Sequence, residues 1–117
     1  MRIEKADPQK MKGWFLGPWN SELDIAVGYA NQGIDEPHIH HRITEIYLIA
    51  RGEAQIRINE QTITIREGDM LLVEPGEAHT FLSSSPDYYH LVIHTPGLNE
   101  ADVGEERELI DRSELGI

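Results

Sequence analysis

Apolar residues recur at every second position along most of this chain, in short runs closed off by turn-forming residues. That period belongs to strands, whose successive side chains leave on opposite faces. Leu23, Ile25, Val27 and Tyr29 form one set, and Ile43, Glu45, Tyr47 and Ile49 share a face of another. Further runs lie at 53–59, 62–66, 70–74, 79–83 and 88–95, separated by Gly, Asn, Asp, Ser or Pro. Seven such runs predict an all-β fold, an antiparallel sandwich or small barrel. Asn59 to Gln61 reads as a hairpin connection and Glu67-Gly68-Asp69 as a turn.

With 117 residues there is room for one modest core, so residues 1–97 are expected to form a single domain. Within it, residues 1–22 carry Trp14, Phe15 and Trp19, aromatics expected to cover an open end or an edge of the sheet. Residues 98–117 are acidic and poor in β-formers, which predicts a short helix from Glu105 to Asp111 or a solvated tail. The formal charge of −11 disfavours nucleic acid and anionic membranes as partners, because their phosphates would be repelled. Without cysteine there is no disulfide, thiolate ligand or cysteine nucleophile. Residues 1–12 are too polar for the apolar core of a signal peptide, and no run approaches the roughly 20 apolar residues of a membrane span. A cytoplasmic location is the expectation.

The stretch EPHIHHRITE, residues 36–45, holds three histidines and two glutamates. On a strand, His38 and His40 emerge on one face, about 6.5 to 7 Å apart, close enough to converge on one ion. His41 and Arg42 then lie outside the ligand set. Glu45 follows in ITEIYLIA, a strand whose two faces both read as buried. A carboxylate there costs several kcal/mol unless a cation or dense hydrogen bonding compensates it. In the second half, GDMLLVEPGEAHTF supplies His79 at the start of another strand, after a Pro75-Gly76 turn. Three histidines and one glutamate suit a divalent transition metal, with Fe, Mn, Zn, Ni, Co and Cu equally acceptable to the donors. The competing reading makes the histidines surface groups of a polar loop between strands.

These residues resemble the two motifs of the cupins. The first is His-x-His, three or four residues, Glu, six residues, Gly, and it stands here as His38-Ile39-His40, Glu45 and Gly52. Gly33 precedes His38 by five residues where the family has six. In the second motif Gly68, Gly76 and His79 match, while Glu74 replaces a proline, which has moved to Pro75, and Ser83 replaces an asparagine. The resemblance implies a jelly-roll β-barrel with His38, His40, Glu45 and His79 turned inward on one ion. It does not choose among oxygenase, isomerase, lyase and non-catalytic binding or regulatory roles. A small polar organic molecule is the expected ligand, and small cupin barrels commonly pair through sheet faces, which implies a homodimer.

Three more residues are candidates for the pocket. Tyr47 shares the face of Glu45. His90 and His94 share one face of the run 88–95, and parity alone leaves open whether that face looks inward. Exposed or interface histidines on an edge strand are the favoured reading, and an inward face would offer an acid or base beside the metal.

Overall fold

The computed structural model describes residues 1–99 and 104–117. Among these residues there are ten strands: β1 (Lys12–Leu16), β2 (Ala26–Ala30), β3 (His38–His40), β4 (Thr44–Arg51), β5 (Glu53–Ile58), β6 (Gln61–Arg66), β7 (Met70–Val73), β8 (His79–Ser84), β9 (Tyr89–Thr95) and β10 (Arg107–Leu109). They form two five-stranded sheets, β1-β2-β9-β4-β7 and β10-β3-β8-β5-β6. Every pairing is antiparallel. The two sheets face each other as a jelly roll, barrel-like without closing.

The core lies between the sheets, where Tyr47, Ile49 and Val92 of the first meet Ile56, Ile65 and Phe81 of the second. Each fully buried side chain of this size contributes roughly 1.5 to 3 kcal/mol. The alternation in sequence therefore translates directly into an inner and an outer face. The turns follow their glycines: Gly52, Gly68 and Gly76, all from the two motifs, adopt φ of 72°, 90° and 88°, a region that side chains with a Cβ avoid.

Four expectations need correction. Ten strands replace seven, because β1, β3 and β10 are too short or too irregular for a period to show. The run beginning at Leu23 enters the sheet only at Ala26, and Leu23 is exposed. The strand β4 buries one face only: Glu45, Tyr47 and Ile49 point inward, while Leu48 on the other face is 37% exposed. Its apolar outer side chains lie on the outside of a single sheet layer. The strand β9 is no edge; it sits between β2 and β4.

The C-terminal segment also departs from the helix expected at Glu105 to Asp111. Among the described residues of this segment only 104–106 are helical before β10, and Arg107–Leu109 pair with β3, opposite His40, Ile39 and His38. The short helix comes later, as a 3-10 turn at Arg112–Leu115. Pairing with an open strand edge satisfies backbone groups that an isolated short helix would leave to water. Leu115 is fully buried, and its carbonyl accepts a hydrogen bond from Arg57 Nε at 2.9 Å.

Candidate functional site

Two strands of the second sheet and two of the first aim their inner side chains at one point. His38 and His40 come from β3, His79 from β8, Glu45 from β4 and His94 from β9. The register explains the meeting: His38 is paired directly with His79, and Glu45 with His94. The Pro75-Gly76 turn helps to fix β3, since the Gly76 amide donates to the His40 carbonyl at 2.8 Å.

Glu45 is the centre of the cluster and is 3% exposed. Its Oε1 lies 2.5 Å from His40 Nε2, 3.2 Å from His79 Nε2 and 3.5 Å from His38 Nε2. Its Oε2 accepts a 2.5 Å hydrogen bond from the Tyr47 hydroxyl and lies 3.3 Å from His94 Nε2. Burial alone would raise the Glu45 carboxyl, but hydrogen bonds from His38, His40, His79 and His94 hold it well below the usual carboxylate range. Burial and the carboxylate beside it push the Tyr47 hydroxyl well up, so it stays a donor.

The far nitrogens of the three motif histidines are all engaged. His38 Nδ1 donates to the Glu36 carbonyl at 2.7 Å, and His79 Nδ1 donates to the Glu77 carbonyl at 3.0 Å. His40 Nδ1 bonds to the Glu106 carboxylate. Carbonyls only accept, so Nδ1 carries the proton and, in the neutral ring, Nε2 presents a lone pair. Protonated, these Nε2 atoms donate to Glu45 Oε1; neutral, all three present lone pairs to the same buried point. His94 differs: among the described residues none accepts from its Nδ1, and its ring packs edge-on against Trp14 at 4.8 Å.

The donor atoms of His38, His40 and Glu45 lie within 4.8 Å of one another, as do those of Asp35, His38 and His79. Separations of this size span one ion with bonds of about 2.0 to 2.2 Å. The cluster is compatible with a metal ion.

A cavity of about 830 Å³ opens beside the cluster, walled by Trp14, Trp19, Tyr47, His90 and His94 and reached by Lys12 and Arg107. Trp14 and Trp19 are about half exposed and meet edge-on at 6.0 Å. A second cavity, of about 670 Å³, lies beside Arg51, Ser85 and Tyr88 and holds none of the candidate donors.

The cupin motifs and the jelly roll agree with comparison to known proteins. Residues 22–114 match the model of a family described as the AraC-like ligand binding domain. The chain belongs to this family, within the cupins. Among curated proteins, this cupin is 31% identical to an uncharacterised protein of Streptomyces coelicolor over 77 residues, 64% of this chain and 73% of the relative. Among solved structures, a single-residue variant of Streptomyces PAC13 with uridine superposes with a TM-score of 0.68 at 12% identity, covering 92% of this chain and 85% of PAC13. KdgF from Halomonas gives 0.64 at 15%, covering 77% and 81%. An uncharacterised double-stranded β-helix protein of Klebsiella pneumoniae gives 0.63 at 19%, covering 93% and 90%.

Within this cupin the structure brings His38, His40, Glu45 and His79 together, and it adds Tyr47, His90 and His94 to the cavity wall. The histidines of β9 face inward, against the exposed or interface reading, because a strand between β2 and β4 turns one face to the core. His90 is 5% exposed and shares a 2.6 Å hydrogen bond with the Tyr88 hydroxyl. His41 and Arg42 are exposed, as expected, and His41 Nε2 lies 3.2 Å from Glu108.

Glu106 was beyond sequence reasoning. It lies in a segment read as tail or helix, yet it is 3% exposed and bonded to His40. The only sequence signal is the pattern ELI at 108–110, a run too short to announce a strand. Trp14, expected to cover an edge, belongs to the edge strand β1 and also lines the cavity.

Proposed function

We propose that this cupin binds a small polar organic molecule at a divalent transition metal held by His38, His40, Glu45 and His79. One observation carries the reading: three Nε2 atoms and a buried carboxylate converge on a common point, an arrangement that needs positive charge there, from protons or from a metal ion, to be stable. One ion satisfies all four donors at once. The nitrogen and oxygen donors suit Fe, Mn, Zn, Ni, Co or Cu.

When bound, such an ion supplies Lewis-acid polarisation of a ligand oxygen or, if redox-active, oxygen chemistry. The chain's own residues do the rest. Tyr47 holds Glu45 through Oε2. Trp14 and Trp19 offer an apolar wall for a flat or ring-shaped part of the ligand, and Lys12 and Arg107 offer cations to an anionic group. His94, free at Nδ1 among the described residues and facing the cavity, is placed to take or give a proton. That position favours isomerase or lyase chemistry over oxygenase chemistry. Pac13, described as a nucleoside dehydratase, supports a polar small molecule in this fold.

The alternative is a non-catalytic binding or regulatory module, favoured by the ligand-binding description of the family. A substrate screen of the metal-loaded protein under oxygen separates the two, since turnover belongs only to the first. The metal assignment is tested by elemental analysis. Wild type should carry near-stoichiometric metal and Glu45→Ala should lose most of it, and equal content in the two would refute the ligand set. The same reading includes a cytoplasmic homodimer without nucleic-acid or membrane partners. Its contact would be the outer face of the first sheet.

A further inference from the structure

The C-terminal segment reaches both histidines of β3 from behind. Glu106 Oε1 bonds to His40 Nδ1, while Oε2 accepts from the amides of Arg42 at 3.0 Å and Ile43 at 2.8 Å. The His41 amide donates to the Glu106 carbonyl at 2.8 Å, so the segment is tied on by backbone as well as side chain. Arg107 bonds to Asp35 Oδ1 at 3.2 Å, and Asp35 Oδ2 lies 3.4 Å from His38 Nδ1. Beyond β10, the buried Leu115 and its bond from Arg57 anchor the far end.

We propose that Glu106 is a positioning residue for the metal centre, and that docking of the C-terminal segment and loading of the metal are coupled. The proposal rests on the metal reading above. Two fixed backbone donors and the Glu106 carboxylate between them leave one oxygen to accept from Nδ1, which directs the His40 Nε2 lone pair to the centre. Outer partners of ligating histidines fix ring orientation and tautomer, and their loss commonly weakens metal binding about 10- to 100-fold. Coupling is reciprocal: if docking favours metal, metal favours docking to the same degree.

Glu106→Gln tests this sharply. The amides of Arg42 and Ile43 demand an acceptor, so the glutamine oxygen turns to them and its NH2 faces His40. A donor at that position forces the proton onto Nε2 and removes the lone pair from the centre. Glu108→Gln, exposed and two residues further on in β10, is the charge-matched control.

Three readouts decide the matter. In metal-free protein under mildly alkaline conditions, nitrogen NMR should show the His40 proton on Nδ1 in wild type and on Nε2 in Glu106→Gln. Titration with Co(II) or Zn(II) should show affinity about 10- to 100-fold weaker in Glu106→Gln and unchanged in Glu108→Gln. Hydrogen exchange of residues 107–115 should slow on metal loading of wild type. With wild type binding metal, equal affinity in Glu106→Gln would overturn the positioning role and exchange unmoved by metal would overturn the coupling, and both leave the metal reading standing. Wild type binding no metal would overturn the metal reading and the proposal with it. Glu106→Asp, which keeps the charge, should recover part of the affinity if position matters.

Discussion

His90 sits beside the candidate metal cluster without joining it. Burial lowers its imidazole to about 4 from 6.5, outweighing the pull of Glu45 and Asp35 in the other direction. The unfolded chain takes up a proton near 6.5, whereas the folded chain resists it. The stabilisation is therefore full above 6.5, declines as pH falls through the window from 6.5 to 4, and is gone below it. The whole loss is about 3 kcal/mol. His40 acts on the other side: burial lowers it, Glu45 and Glu106 more than offset this, and the net rise gives stability lost as pH climbs past the ordinary 6.5 through the raised value. Glu45 and Glu106 are lowered and contribute stability that fades only as pH drops below the ordinary carboxyl value of 4.5. Denaturant unfolding of metal-free protein across the window should show a slope in wild type that flattens in His90→Gln. Equal slopes would mean that His90 is not the group responsible. At this scale the sequence disclosed which residue types can ligate, and the period disclosed that His38 and His40 share one face and that Glu45 shares one with Tyr47 and Ile49. It could not disclose Glu106, because the bond to His40 spans 66 positions and starts from a segment with no period.

At the scale of elements, the motif glycines mark turns of different tightness. A Cβ on Gly52, at φ 72°, would lie 2.4 Å from Ser85 Oγ and 2.9 Å from Tyr88 Cα. On Gly76, at φ 88°, it would meet nothing within 4 Å. Gly52→Ala should therefore cost about 3 kcal/mol, strain and clash together, and Gly76→Ala about 1 kcal/mol, strain alone. Equilibrium unfolding of the two variants checks the order, and a Gly76→Ala loss equal to that of Gly52→Ala would contradict it. The strands with strong alternation, β4, β5 and β9, were legible because half of each faces the core. Strands β1, β3 and β10 were less so: β3 and β10 have three residues each, β1 is irregular between Trp14 and Leu16, and their place is set by the neighbour they pair with.

At the scale of the molecule, the outer face of the first sheet carries two cross-strand rows. Val27, Ile93, Ile46 and Leu72 lie in one, and Leu91, Leu48 and Met70 in the other. Met70 and Leu72 are 59% and 42% exposed. Neither row holds a charge, although the chain carries −11, so two copies could meet here with their like charges kept to the rim. Analytical ultracentrifugation should find wild type dimeric and Leu48→Glu shifted to monomer. A monomeric wild type would remove the proposed interface.

The sequence by itself determined the fold class and the donor types, through the two-residue period, the His-x-His and Glu spacing and the glycines of the turns. These are local properties, carried by residues a few positions apart. Tertiary structure decided which way β9 turns its histidines, which of two apolar faces of β4 is covered, and that the C-terminal segment braces the ligands. A period fixes which side chains share a face but not the direction of that face. The direction is set when the two sheets pack, by contacts between residues far apart in the chain.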